Sequence, residues 1–181
     1  MQIICISRGS QGYGTELAEK LSQSTGYATI SRETITDKAT EYGIPVGKLE
    51  MEILRNRPLS EEMSIVADMY KAFATAQTCE RALNENIIYH SRMGHLALPG
   101  LARVMRIRAI AEPEYRIKRV MDRLKITRKK AKDYIDHIDE DTRKWTHILY
   151  NADLSDTSKY DLTLNATNLS AENAAKALAS F

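Results

Sequence analysis

The chain has 181 residues, of which 43% are hydrophobic, and its 26 basic and 24 acidic residues leave a net charge of +2. This length fits one domain with a sizeable buried core. A charge so near balance excludes a whole-molecule field that would attract a nucleic-acid polymer or an anionic membrane, so any anion binding must be local. Because no segment approaches the roughly 18 consecutive apolar residues of a membrane helix, we expect a cytoplasmic protein.

The chain begins with a strand, a glycine-containing turn and a helix. Ile3 to Ile6 form a continuous apolar run of the kind found in a strand buried on both faces. Apolar residues at helical spacing within 16–24 predict the helix, and Gly26 is a suitable residue to end it.

Two further helices are predicted before the next strand. The first covers 33–43 and ends at Gly43, and the second begins at Ser60 with acidic residues in its first turn. Apolar residues in the second helix alternate spacings of four and three, which predicts that they form its core-facing stripe: Ile65, Met69, Ala72, Ala76, Cys79 and Leu83.

Short apolar segments then alternate with helical ones. Strands are predicted at 87–89, 104–111 and 160–165, and helices at 113–124, at 128–150 and after Ser170. Trp145 lies on the apolar side of the second of these helices, which favours a place in the core. The alternation favours an α/β fold with a parallel sheet, and with no repeat or linker we expect one domain over 1–181.

The turn after the first strand is the main candidate for chemistry. Glycines between a buried strand and a helix let backbone N–H groups converge on an anion at the positive end of the helix. Gly9 and Gly14 have the spacing of the glycines in GxxxxGK[ST], but Thr15 occupies the lysine position and Glu16 the hydroxyl position. We predict a phosphate-binding turn, with a plain connecting turn as the alternative: Arg8, Gly9, Ser10, Gln11, Gly12, Tyr13, Gly14, Thr15 and Glu16.

Other common sites have little support. Cys5 and Cys79 lack CxxC spacing and are expected to be buried, unbridged residues. The four histidines have no metal-ligand spacing, so no metal ligand is predicted, and no GxSxG elbow supports a nucleophilic serine.

Taken in order along nearly the whole chain, several segments resemble the cytidylate-kinase-like family of P-loop nucleoside monophosphate kinases. They are Ser7-Arg8 with Gly12, Gly14 and Glu16; Ile30 to Glu33; Ile87 to Gly94; the strand before Pro113, Arg116 and Arg119; and Tyr160 to Leu162 with Asn165. Ser91 stands at a family glycine, and Met93 at the acidic residue that follows the arginine in cytidylate kinases.

The resemblance implies a three-layer αβα P-loop NTPase-type parallel sheet with the adenylate-kinase-like arrangement. Residues 44–85 would form a helical acceptor-side region and 116–150 a lid. ATP with Mg2+ would be the donor, and the small-molecule partner would be a nucleotide. The resemblance places Arg92 at the acceptor phosphate, Arg32 and Lys38 on the acceptor side, and Arg116, Arg119 and Arg123 in the lid, where their spacing also puts them on one helix face.

Two functions therefore stay open at this stage. The first is an ATP-dependent phosphotransferase acting on a nucleoside monophosphate or a similar small phosphorylated acceptor. The second is a non-catalytic or regulatory nucleotide- or anion-binding module that has lost the loop lysine. Arginines spread over three segments favour the first, because phosphoryl transfer requires extensive charge neutralisation.

Overall fold

The computed structural model describes residues 2–9, 13–55, 57–98 and 103–180. Within them lie five strands: β1 (Ile3–Arg8), β2 (Ala28–Ser31), β3 (Ile87–Ser91), β4 (Val104–Ile110) and β5 (Leu162–Asn165). The helices are α1 (Gly14–Thr25), α2 (Arg32–Glu41), α3 (Val46–Leu54), α4 (Glu61–Asn84), α5 (Pro113–Leu124), α6 (Arg128–Tyr150) and α7 (Ala171–Leu178). The described helices include none that is both long and apolar enough to cross a membrane.

The strands form one parallel sheet in the order β2-β3-β1-β4-β5. In its register, Ser7 on β1 lies opposite Ser91 on β3 and Arg108 on β4. The carboxyl ends of these three strands therefore meet at one edge of the sheet. In open α/β sheets, ligands bind at this edge, where the strand order changes direction around β1.

Helices cover both faces of the sheet. Ile4 and Ile6 pack with α1 and α7 on one face, while Ile3, Cys5 and Tyr89 pack towards α2 and α4 on the other. A separate cluster of α3, α4 and α6 side chains surrounds Trp145, which is 3% exposed. The predicted α/β class, the parallel sheet and the core position of Trp145 are confirmed.

Capping residues explain why several predicted helix ends are confirmed. The Ser60, Thr127 and Ser170 side chains each accept a hydrogen bond from a backbone N–H in the first turn that follows. Gly26 and Gly43 have φ values of 74° and 80°, which suit glycine at a helix end. Strand β2 was not predicted, and helix α3 was implied only as part of the helical region 44–85.

The predicted core stripe of α4 is wrong. Ile65, Met69 and Leu83 are 57%, 48% and 74% exposed. The buried face carries Met63, Val66, Ala67, Tyr70, Ala74 and Thr78 instead. Both sets have helical spacing, but the buried set includes a tyrosine and a threonine, so apolar character alone selects the wrong face.

The cysteines are both unbridged, but they differ in burial. Cys5 is fully buried in β1, whereas Cys79 on α4 is only partly buried. The expectation of burial is therefore confirmed for Cys5 and is wrong for Cys79, which lies beside the exposed side of α4.

Candidate functional site

The predicted phosphate-binding turn joins β1 to α1 at the carboxyl edge of the sheet. The Gly9 N–H donates to the Ala109 carbonyl at 3.0 Å, which fixes the end of β1 against β4. Helix α1 begins at Gly14, so its first N–H groups and its positive end face this edge. Ser10, Gln11 and Gly12 lie outside the described residues, and their part in phosphate binding stays a prediction.

Gly14 is required by close packing. A Cβ atom at this position would lie 2.3 Å from the Arg8 Cβ atom, a distance that no side chain tolerates. The start of α1 therefore packs directly against Arg8, the last residue of β1.

The Arg8 guanidinium lies beside the position of the missing loop lysine. Its Nη1 donates to the Thr15 hydroxyl at 2.9 Å, and its Nη2 pairs with the Glu33 carboxylate. The Arg8 side chain is only 19% exposed. Burial alone would raise the pKa of Glu33, but a backbone hydrogen bond and the Arg8 charge hold that pKa below its usual value.

A cleft of about 350 Å3, here called the loop cleft, opens at the N-terminus of α1. Gly14, Thr15 and Glu16 line it on one side, and Arg119 and Arg123 of α5 line it on the other. The Glu16 carboxylate lies 3.3 Å from Arg119, so its charge is directed to an arginine.

A second cleft, here called the central cleft, has a volume of about 390 Å3. Its walls come from the ends of β1 and β4, from α6 and from the segment 152–160. Its charged lining is mainly cationic: Arg8, Arg92, Arg108, Arg116 and Arg143, with Asp139 and Asp153.

The two clefts share three lining residues, Arg8, Gly9 and Arg92. Arg8 comes from the end of β1, and Arg92 directly follows β3, its neighbour in the sheet. The loop cleft and the central cleft thus meet at two arginines.

Arg92 is held in cationic surroundings. Its Nη1 donates to the Thr142 hydroxyl of α6 at 3.3 Å. Burial, together with the nearby charges of Arg32 and Arg8, lowers the pKa of the Arg92 guanidinium from its ordinary value. An anion between these arginines would relieve both their mutual repulsion and their loss of hydration.

The three α5 arginines that the sequence assigned to one helix face divide between the clefts. Arg116 lines the central cleft, where its Nη2 lies 2.8 Å and 2.7 Å from the two Asp139 oxygens. Arg119 and Arg123, nearer the end of α5, line the loop cleft. The three arginines therefore share one face of α5, and this face borders both clefts.

The two residues predicted for the acceptor side line neither cleft. The Arg32 guanidinium lies 4.5 Å from the centre of the Trp145 ring and 4.0 Å from Glu50. The Lys38 amine lies 3.5 Å from the side-chain oxygen of Gln77. Of the described residues in 44–85, none lines either cleft.

Arg108 and Tyr160 are the site residues that sequence reasoning missed. Both line the central cleft. For Arg108 the available signal was the presence of arginines, Arg106 and Arg108, inside a central strand, because a central strand of a parallel sheet is usually apolar throughout.

The described residues place no group of three or more His, Cys, Asp or Glu side chains suited to a metal ion. Glu16 and Glu33, the carboxylates beside the first turns of α1 and α2, are each paired with an arginine.

A comparison with protein families decides the assignment. Residues 3–168 match the model of the cytidylate kinase-like family. The chain belongs to that family. Membership of this family supports a phosphotransferase of the P-loop kinase kind.

Solved structures agree with this fold. The chain is similar to an uncharacterized protein from Eubacterium ventriosum, with a TM-score of 0.76, 17% identity, and coverage of 99% of this chain and 96% of that one. It is also similar to a shikimate kinase from Bacteroides thetaiotaomicron, with a TM-score of 0.57, 14% identity, and coverage of 99% of this chain and 97% of that one. A sugar kinase from Janibacter matches with a TM-score of 0.56, 13% identity, and coverage of 99% of this chain and 93% of that one. No curated protein matches the chain.

Proposed function

We propose that this member of the cytidylate kinase-like family transfers the γ-phosphoryl group of ATP to a nucleoside monophosphate or a similar small phosphorylated acceptor. The observation that carries the proposal is the meeting of the two clefts at Arg8 and Arg92. Phosphoryl transfer requires a donor and an acceptor in line, with positive charge around the group that moves.

The loop cleft is the proposed donor site. The N-terminus of α1 offers N–H groups and a positive dipole end to phosphate oxygens. Arg119 and Arg123 add positive charge from the opposite wall, and Arg119 also offsets Glu16. Mg2+ carried by ATP would neutralise further charge on the β- and γ-phosphates.

Arg8 is proposed to take the place of the loop lysine. Its guanidinium reaches the Thr15 hydroxyl and lines both clefts, so it stands beside the path of the transferred group. An arginine in this place offers planar, bidentate contacts to phosphate oxygens that a lysine does not.

The central cleft is the proposed acceptor site. Arg92 and Arg116 would bind the acceptor phosphate and hold its attacking oxygen towards the loop cleft. Helices α5 and α6 would act as the lid, tied together by the 2.6 Å ion pair between Glu114 and Arg128. The helical region 44–85 would act on the site indirectly, through Glu50, which lies 4.0 Å from Arg32, whose charge in turn acts on Arg92.

Calorimetric titration with ATP and Mg2+, combined with a transfer assay over an acceptor panel, tests the role of Arg8. The variant Arg8→Met should lower the rate by roughly a hundredfold to a thousandfold, because one electrostatic donor is lost from the transition state. Adding Thr15→Lys to that variant should restore part of the rate. Arg103→Met, at an exposed arginine that directly precedes β4 at the opposite edge of the sheet, is the control and should behave as wild type.

Two results would count against this proposal. Tight ATP binding without transfer to any acceptor would leave a binding module without turnover. An unchanged rate in Arg8→Met would remove Arg8 from the mechanism.

A further inference from the structure

Arg108 lies where a central strand is normally apolar. Strand β4 pairs with β1 on one side and β5 on the other, and Arg108 lies opposite Ser7 and Thr163. The same strand carries Arg106, whose guanidinium donates to the Val104 and Leu98 carbonyls at 3.1 Å and 3.2 Å. Arg106 thus has a structural explanation through the backbone.

Arg108 has no comparable set of contacts. Its Nη1 lies 3.4 Å from the Ser155 carbonyl, and its guanidinium carbon lies 5.6 Å from the centre of the Tyr160 ring. Within residues 2–9, 13–55, 57–98 and 103–180, no carboxylate lies at ion-pair distance from Arg108. A guanidinium that is partly removed from water without a paired anion costs free energy.

The Asp153 carboxylate is a neighbour whose pKa is lowered mainly by hydrogen bonds from Ser155 and less by the charge of Arg108, and it forms no ion pair with Arg108. The Asp153 carboxylate accepts hydrogen bonds from the backbone and the side chain of Ser155. His95 hydrogen-bonds Ser7 and packs on Tyr160, and burial together with the charges of Arg106 and Arg108 lowers the pKa of His95 to about 4. His95 is therefore neutral near pH 7, and the lining of the central cleft as a whole, with five arginines and two aspartates, keeps an excess of positive charge.

We propose that Arg108 binds a second anionic group of the acceptor, so that the acceptor is a small molecule with a phosphate at one end and a carboxylate or second phosphate at the other. This proposal rests on the proposed function, in which Arg92 and Arg116 hold the first phosphate. Ala109, Ala111 and Leu154 add apolar lining to the same cleft, whose 390 Å3 suits a small metabolite.

A neutral group at Arg108, such as a nucleobase, fits these observations less well. Its polar edge would accept hydrogen bonds from the guanidinium, but it would leave Arg108 without an ion-pair partner. A carboxylate or phosphate satisfies both the donors and the charge, and its flat or tetrahedral oxygens match the guanidinium fork.

Two pairs of open-chain probes test the proposal. Phosphoglycerate and glycerol phosphate form the short pair, and phosphogluconate and sorbitol phosphate form the long pair. Members of each pair differ by a carboxylate against a hydroxymethyl group at the end away from the phosphate. Dissociation constants are measured by calorimetry, with and without a non-hydrolysable ATP analogue, for wild type, Arg108→Met and the control Arg103→Met.

We expect the wild type and the control to bind the carboxylate member of at least one pair roughly tenfold to a hundredfold more tightly, the effect of one charge-assisted contact. Arg108→Met should lose this preference and keep its affinity for the singly charged probes and for ATP. Its melting temperature should be unchanged or higher, because a methionine removes an unpaired charge from the sheet. A purely structural Arg108 would instead lower the melting temperature.

Three results would overturn the proposal. The first is that wild type shows no preference for the carboxylate member of either pair. The second is that Arg108→Met weakens the binding of both members of a pair equally. The third is that cytidine monophosphate binds more tightly than the carboxylate probes and that this affinity depends on Arg108. In each case intact ATP binding and transfer would leave the proposed phosphotransferase standing, whereas a failure to bind ATP would remove it independently.

Discussion

The contact between Gly14 and Arg8 shows how much of the site depends on one close approach. The sequence places Gly14 in a phosphate-binding turn by its spacing from Gly9. The structure gives the glycine a second reason, because any side chain there would collide with Arg8. Such a collision is not visible in a sequence, since it depends on how α1 returns over the end of β1.

Replacing Gly14 by alanine should displace Arg8 from Thr15 and weaken ATP binding. Overpacking of this kind typically costs about 1–3 kcal/mol of folding free energy. Gly47 in α3 is a matched control, because a Cβ there meets nothing within 4 Å. Gly47→Ala should leave stability unchanged or raise it by up to about 1 kcal/mol through helix propensity. Equal denaturation midpoints for the two variants would contradict this packing argument.

Helix α4 illustrates what patterns predict at the scale of an element. Its start at Ser60 is predicted from local capping chemistry, and the structure confirms it. Its buried face cannot be predicted from the local sequence, because apolar residues occur on both sides of the helix. The choice between the two sides is made by α3, α6 and the sheet, which pack against Met63 and Tyr70.

Two methionines on α4 test the corrected face. Met63 is 7% exposed and Met69 is 48% exposed. Met63→Ala should lower the free energy of unfolding by about 2–5 kcal/mol, because a buried side chain is removed and leaves a cavity. Met69→Ala should change it by less than about 0.5 kcal/mol. Urea denaturation of the two variants measures these changes in the free energy of unfolding. A larger decrease in Met69→Ala than in Met63→Ala would support the buried face predicted from the sequence.

At the scale of the whole molecule, the strand order assembles the site. The resemblance and the α/β alternation predict the parallel sheet, which the structure confirms. The match to the family model confirms the predicted family. The side chains that meet were predicted less completely, because Arg8 and Arg108 lie on β1 and β4 and Arg92 directly follows β3, and a single sequence does not reveal the register of these strands. Arg92 was found through a motif, whereas Arg108 has no motif.

The whole fold should lose stability in mild acid. Burial, with nearby arginine charges, lowers the pKa values of His90 and His95 from 6.5 to about 4. The unfolded chain therefore binds more protons between these values, so stability falls as the pH drops from 6.5 towards 4 and is flat above 7. Each histidine contributes up to roughly 1.4 kcal/mol per pH unit in this window.

Urea denaturation at about pH 7.5 and about pH 5 measures this loss. Carboxyls such as Glu33, whose pKa is lowered, stay ionised at both values. His95→Asn should show a smaller drop than wild type, whereas His137→Asn, at an exposed position on α6, should keep the wild-type drop. Equal stability of the wild type at the two pH values would contradict the buried, neutral state of both histidines.

The central claim is that a donor in the loop cleft and an acceptor in the central cleft meet at Arg8 and Arg92. Its most direct test follows the γ-phosphoryl label of ATP into a panel of nucleoside monophosphates and doubly anionic phosphates, with wild type and Arg92→Met. With wild type, label should appear in at least one acceptor, and the rate of its transfer should fall roughly a hundredfold or more in Arg92→Met. Bound ATP whose label reaches no acceptor, or reaches only water, would contradict it.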